Sequence, residues 1–441
     1  MPTRDDARRL RHADVHDIVA AAAFPTSAPD DDAIGIESEW FAVGTGPTGT
    51  HRLLLDPTGD QLGVSGLLAA AQPVDGVRHQ TEPGAQVEAA TAPRRAVGDA
   101  LGLLREAGGA LADAAAREGA VLLAAGIDLW HEQVPPQQSR APRYPAMASY
   151  LASRGPAGAV MMRHTASLQL NVDLGRGDVA AERWAASLLA APVSLATFAT
   201  SPSLDGALAS RRARVWASVD PTRTGIPKAF VDHPSWTPGR QLADAAMNAD
   251  VLLVRHADGS ATPGRPGWRF ADWVAHGHPT HGWPTPDDLR YHLTTLFHEV
   301  RPRGWLELRS LDALPARWRE PAVVLHAGLL LDTRARQRIL EVLEPTRSRG
   351  PQLLARAARQ GVADPSFCAL AVEVWSFALD GAKRLGDAIP ADAIRDTEQF
   401  IDRFTLRGRC PADAMREAFR QDPRAALDLA AEPSQRARVP A

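Results

Sequence analysis

Four short segments of this chain alternate acidic or amide side chains with aliphatic ones at the two-residue period of a β-strand. They are Ile36-Glu37-Ser38-Glu39-Trp40, Glu82-Pro83-Gly84-Ala85-Gln86-Val87-Glu88, Ser167-Leu168-Gln169-Leu170-Asn171-Val172-Asp173 and Trp305-Leu306-Glu307-Leu308-Arg309. In a strand, residues i, i+2 and i+4 share a face. Glu37 and Glu39 therefore point one way together, as do Gln86 with Glu88, Gln169 with Asn171 and Asp173, and Glu307 with Arg309. One sheet built from these strands carries carboxylates on one face and a packed apolar layer on the other. A solvated face would mix Thr, Lys and Arg among its acids, and these strands hold almost none. Like charges at such spacing repel strongly, so the pattern predicts bound cations, and multiple divalent metals are the expected solution.

The remaining composition narrows the classes. The 441 residues carry a net charge of −3, which gives no electrostatic reason to expect nucleic acid or an anionic membrane as partner. No apolar run reaches the roughly 18–20 residues that span a bilayer, and the Ala322 to Leu331 stretch reads as a buried helix. Lysine occurs only at 228 and 383, so the basic residues are almost all arginine, whose fork suits carboxylates and phosphates. Cys368 and Cys410 are too few for a disulfide framework or a thiolate metal site; a reducing cytoplasm fits. Cys368, among apolar helical neighbours, reads as a buried core thiol. The polar N-terminus lacks a signal-peptide core.

Along the chain, residues 5–23 read as an amphipathic helix and Ser27 to Asp32 as a linker. Strand 33–43, a turn at Gly44 to Gly49, and a return through Arg52 to Leu55 follow. The second acidic strand lies near 86–90, a helix over 94–118 and a buried strand at Val121 to Ala125. Residues 131–160 read as a long loop, which in a compact domain is usually functional or disordered. Strand 166–173, a helix over about 177–198, a polar segment 201–227 and an irregular Gly/Pro/His/Trp-rich excursion 257–287 come next. The 131–160 and 257–287 segments are candidate covers for a site. After strand 304–310 the chain turns helical over 317–346, 351–361, 364–385, 391–404 and 411–431.

The acidic face calls for hard cations, which take oxygen ligands and share them between carboxylates and phosphates. No Cys/His cluster suits zinc, and His164 reads as an ordinary strand-entry residue. Arg309 beside Glu307 suits a phosphoryl group, which needs metal and arginine together; an ion pair with a neighbouring Glu explains it equally well. No GxxxxGK[ST] phosphate loop, dinucleotide fingerprint or Gly-x-Ser-x-Gly elbow is present.

These segments also resemble a known family. Gly35 to Glu39, Glu82 to Glu88, Met161 to Asp173 and Arg301 to Arg309 look like the plant and proteobacterial glutamate–cysteine ligases, and most like actinobacterial relatives that make γ-glutamylcysteine for ergothioneine synthesis. Pro142 to Met147 and Trp216 to Gly225 resemble further motifs of that group, and together they run in the family's order over residues 33–315.

The resemblance implies an α+β fold: a glutamine-synthetase-like curved antiparallel sheet holding ATP and Mg²⁺ (or Mn²⁺), surrounded by helices. It implies a ligase catalytic domain over 1–350 and a helical part over 351–441 packed on the same domain. It implies metal ligation by Glu37, Glu39, Glu82, Glu88, Gln169 and Glu307. Arg309 matches the arginine facing the transferring phosphoryl, with Asn171 beside it at the nucleotide, and Arg212 matches an arginine that grips glutamate. Small-molecule substrates, glutamate and cysteine, are the implied partners. Ala85 departs from the family's Glu-Pro-Gly-Gly-Gln, which reduces backbone freedom there, and Ala89-Ala90 replaces a Ser-Gly. A related ligase with another amine acceptor, a carboxylate-pair hydrolase and a binder without turnover are the competing readings.

Overall fold

The computed structural model describes residues 9–27, 31–46, 49–57, 63–233 and 236–434. The start of the expected N-terminal helix (5–8), the middle of the expected linker (28–30) and the tip of the expected turn (47–48) lie outside the described residues. The helix itself covers Val15–Ala23, preceded by a 3₁₀ turn.

Eight antiparallel strands form the main sheet: β1 (Ile34–Gly46), β2 (Gly49–Arg52), β3 (Val77–Thr81), β4 (Val87–Thr91), β5 (Ala120–Leu123), β6 (Ser167–Asp173), β7 (Val300–Pro302) and β8 (Trp305–Asp312). Their order is β7–β8–β6–β1–β4–β3, while β2 and β5 pair with the far half of β1. The alternation works as the sequence pattern demands: Ile34, Ile36, Leu168, Leu170, Val172 and Leu306 are fully buried on one face. That face packs on the helices Val97–Arg117, Asp178–Phe198 and Ala316–Leu331. Burying each such side chain stabilises the fold by about 1.5–3 kcal/mol, so a charge at Leu170 would break the layer.

Local chemistry corrects four expected segments. Residues 131–160 are not one loop, because Arg143–Arg154 is a helix followed by another at Ala157–His164. Pro142 and Pro145 sit at its cap and first turn, where a missing N–H costs nothing, and Ala146, Met147, Tyr150 and Leu151 form its buried stripe. The expected 317–346 helix is two, split where the Asp332 carboxylate accepts from Ala335 N at 2.7 Å and caps a new helix. The 411–431 helix divides likewise at Asp422-Pro423. The 257–287 excursion contains a short strand at Ala261–Pro263 and a helix at Phe270–His276, with Trp268 and Trp273 buried.

The helical C-terminal region shares the sheet's core, since Trp375, Phe400 and Met415 belong to the same buried cluster as Trp40. Its last described turn clamps onto β5: Glu432 N donates to Leu122 O at 2.8 Å, and Ala430 O accepts from Ala124 N at 2.9 Å. The buried Glu432 carboxylate takes Arg319 twice at 2.9 Å and Trp40 Nε1 at 3.0 Å. Cys368 is only half-buried, with its Sγ–H on Thr405 O; Cys410 is the buried thiol.

Candidate active site

The strand register assembles the acidic residues across the polar face of the sheet. Glu39 stands opposite Glu88, Glu88 opposite Gln80, Glu37 opposite Gln169, and Glu307 opposite Asn171. These glutamates, with Glu82, Gln80 and Gln169, ring a cavity of about 310 Å³, while Asn171 lies outside its lining. Ser167 donates its N and Oγ to Glu39 at 2.8 and 2.9 Å, and Gln169 Nε2 adds a third bond at 3.2 Å. Asn171 Nδ2 donates to Glu37 at 2.9 Å, and Gln80 Nε2 donates to Glu88. Asp173 shares their face but caps the backbone N of Ala33 at 3.0 Å and lies outside this cavity.

The turn carrying Glu82 is built from beneath. Gly84 is required, because a Cβ there would sit 2.2 Å from Arg163 O. Ala85 holds a left-handed φ of 61°, a conformation that costs an L-residue about 1–2 kcal/mol. Gln86 does not project with Glu88 as a free ligand; its Oε1 accepts from Gly84 N at 3.0 Å and its Nε2 donates to Thr165 O at 2.8 Å. Arg52 reaches Gly84 O at 3.1 Å while its other nitrogen meets the buried Asp128 at 3.0 Å. His164 ends a helix away from the cavity, and burial pushes it down to about 4.

Electrostatics separate the carboxylates into two groups. Burial and then the Glu82 charge push Glu39 up to about 7. Burial, then Glu82, Glu39 and Glu37, push Glu88 up to about 10. Glu82 is also raised by burial and shares a side-chain hydrogen bond with Glu88; Glu37 is raised by burial and then by Glu307. Glu307 is the exception. Its burial is outweighed by Arg301 and then Arg309, which hold it at about 2.

The arginines explain that split. Arg309 Nη1 donates to Glu307 at 2.9 Å and to Gln169 Oε1 at 2.7 Å, and Arg301 grips Glu307 from the neighbouring strand. The register of β8 against β6 shifts between Leu308 and Leu311, the stretch that carries Arg309. Arg212 lies on the short Arg211–Ala217 helix, donates to Arg309 O at 2.9 Å and sits 5.6 Å from the Trp216 ring. Several lining residues were not singled out from sequence, Arg301 and Arg143 among them. Arg301 is readable in hindsight as Glu307's partner across the Arg303-Gly304 turn of a hairpin. Arg143 comes from the helix mistaken for a loop. From 257–287 nothing lines the cavity, so that segment is not its cover, whereas 131–160 contributes Arg143, Tyr144 and Met147. Among the described residues, Arg143 Nε, Arg212 Nε and Trp216 Nε1 are buried donors without an acceptor.

The donor set fits a hard divalent cation: the lining acids and amides offer oxygen to it, and among the described residues no Cys or His lines the cavity. Among the described residues, no three acidic, His or Cys side chains converge on one point. They surround a space instead, as suits cations whose shells are completed by phosphate oxygens and water.

Comparison with known proteins agrees with this chemistry. The profile of the glutamate-cysteine ligase family 2 matches residues 33–433. Glutamate–cysteine ligase EgtA of Mycolicibacterium smegmatis is 35% identical over 369 residues, 81% of each chain. EgtA of Mycobacterium tuberculosis is 35% identical over 342 residues, 75% of this chain and 74% of that one. The chloroplastic glutamate–cysteine ligase of Medicago truncatula is 30% identical over 55% of this chain and 49% of its own. A bifunctional glutathione synthetase from Pasteurella multocida shares the fold, with a TM-score of 0.54 at 14% identity over 95% of this chain; the chain spans about half of that protein (53%). The chain belongs to the glutamate-cysteine ligase family 2.

Proposed function

We propose that this protein joins the γ-carboxylate of L-glutamate to the amine of L-cysteine at the expense of ATP, giving γ-glutamylcysteine, ADP and phosphate. The observation that carries the reading is the ring of carboxylates raised by burial, Glu37, Glu39, Glu82 and Glu88, facing an arginine-held Glu307 in a family of ligases. Mg²⁺ or Mn²⁺ held by Glu37, Glu39, Glu82, Glu88, Gln169 and Glu307 would neutralise the phosphates of ATP and the transferring phosphoryl. Arg309 and Asn171 border the nucleotide; Arg309 places positive charge where the γ-phosphoryl develops it, anchored by Glu307 and Gln169. Arg212 and Arg143, with their unsatisfied buried N–H groups, offer donors for the glutamate carboxylates.

The γ-carboxylate oxygen attacks the γ-phosphorus in line and ADP leaves, forming γ-glutamyl phosphate. The cysteine amine then attacks the acyl carbon, phosphate leaves, and the nitrogen gives up a proton. The protein's own contribution is positioning, charge and exclusion of water. We further propose a cytoplasmic enzyme supplying ergothioneine synthesis, with 1–350 as catalytic part and 351–441 packed on the same domain. The Glu432 clamp supports that packing, and no single described helix is long and apolar enough to cross a membrane.

The test is incubation with Mg²⁺, ATP and glutamate, with and without cysteine, following ADP and product mass. Cysteine-dependent ADP release with γ-glutamylcysteine formed is the expected result. ADP release with other amines alone would move the acceptor, and no nucleotide turnover would overturn the reading.

A further inference from the structure

Among the described residues five glutamates line the acidic cavity, and Glu82 alone stands on a turn, between β3 and β4. A turn lacks a strand's ladder of bonds and must be held by other partners. This one also carries Ala85 at a φ of 61°, a conformation that persists only where the surroundings hold it. Three bonds besides the turn's own backbone ones do so. Gln86 Oε1 accepts from Gly84 N at 3.0 Å, Pro83 O accepts from Gln138 N at 2.8 Å, and Gly84 O accepts from Arg52 Nη2 at 3.1 Å. Of the three, only the Arg52 bond is charge-assisted.

Arg52 is itself fixed. It ends β2, its side chain is 7% exposed, and its guanidinium lies 4.3 Å from the Phe41 ring. Its other terminal nitrogen, Nη1, donates to Asp128 Oδ2 at 3.0 Å. The Asp128 carboxylate is fully buried and held in turn. Its Oδ1 accepts from Trp130 N at 3.1 Å and His131 N at 3.2 Å, and His131 Nδ1 meets the two oxygens at 3.1 and 3.0 Å. Although burial works against it, the His131 bond and the Arg52 charge hold Asp128 down at about 2. A planar fork with one prong on a fixed carboxylate has its other prong fixed as well. Arg52, Asp128 and His131 line no part of the acidic cavity, so they reach it only through the turn.

We propose that Arg52, anchored by Asp128 and His131, is a positioning residue for Glu82: its fork holds the turn from behind and so keeps the Glu82 carboxylate among the cation-binding oxygens. This role rests on the reading of Glu82 as a metal ligand. Partners that orient a ligand without touching the metal commonly decide its affinity.

The experiment is calorimetric titration of Mn²⁺ into the ADP-bound protein as wild type, Arg52→Lys, Glu82→Gln and the double variant. Lysine keeps a positive charge beside Asp128 but replaces the two-pronged fork with a single ammonium. Arg52→Lys should weaken Mn²⁺ about 10-fold or more. In the Glu82→Gln background the same change should cost less than about 2-fold, because the carboxylate it positions is gone. Asp128→Asn, which keeps an acceptor for the backbone N–H groups, should repeat the pattern with a smaller loss, and it serves if Arg52→Lys does not fold. Mn²⁺ affinity unchanged by these substitutions, or lowered equally in both backgrounds, would overturn the positioning role and leave the metal reading intact. Glu82→Gln binding Mn²⁺ as tightly as wild type, or a wild type that binds none, would overturn both.

Discussion

Two buried groups of charges in this molecule use the same residue types to opposite ends. Around Tyr150, the Asp220 carboxylate accepts from Tyr150 Oη and Arg223 Nε at 2.8 Å each, and from Thr222 N and Oγ1 at 3.0 and 2.8 Å. Asp250 next to it takes Arg154 and the Gly267 N–H. Arg223 spends its remaining donors on Thr295 and on Asp250 O. Although burial works against it, Asp220 is held below its ordinary value by Arg223 and these bonds. The acidic cavity is the reverse: burial raises Glu39, Glu82 and Glu88, the Glu82 charge raises the other two further, and its two best-placed arginines are committed to Glu307. A closed network leaves nothing for a ligand. An open one requires cations from outside.

Mutation separates the two. Asp220→Asn removes the partner of a buried guanidinium and should destabilise the fold by about 3–5 kcal/mol, read from the urea midpoint. Glu39→Gln should lower turnover by roughly 10²–10³ while the midpoint stays level or rises, since it removes a carboxylate that its neighbours repel. A Glu39→Gln protein that unfolds early yet turns over normally would erase the distinction.

Acidity sharpens the contrast further. Glu39 stands at about 7 when folded against an ordinary 4.5, so its contribution is present below 4.5 and lost as pH rises through 7. Glu88, at about 10, extends that loss upward. Glu307, at about 2, contributes above 4.5 and loses its contribution only as pH falls through 2. The metal-free midpoint should therefore fall between pH 5 and 8, and Mg²⁺ should raise it more at pH 8 than at pH 5. A metal-free midpoint that climbs over that interval would contradict the assignment.

The smallest effect lies in the turn that carries Glu82. Ala85→Gly relieves a left-handed φ worth about 1–2 kcal/mol and returns part of it as chain entropy, for a net stabilisation of about 0.5–1 kcal/mol. An unchanged or lower thermal midpoint would show that the turn is not strained.

The sheet was legible because its strands alternate without interruption; Glu37, Glu39 and Gln169 land where period two puts them. The helix at Arg143–Arg154 was not, because Pro142 and Pro145 read as breakers unless their place in a first turn is known, and Arg143 went with it. Arg301 was passed over because its role depends on a hairpin partner six residues on. The register shift between Leu308 and Leu311 and the left-handed Ala85 leave no mark in a hydrophobic pattern. Nor does the split between the paired and the repelling acids, because it is set by which arginines the register brings near, and Asp220 and Glu88 look alike in a sequence.

That split is tested most directly by calorimetric titration of Mn²⁺ into the ADP-bound protein, in two buffers of different ionisation enthalpy near pH 7. The account predicts Mn²⁺ binding with release of protons, because Glu39 and Glu88 must ionise to hold the metal, and binding at least 10-fold weaker in Glu88→Gln. Mn²⁺ affinity equal in the two proteins, with no proton released by the wild type, would contradict it.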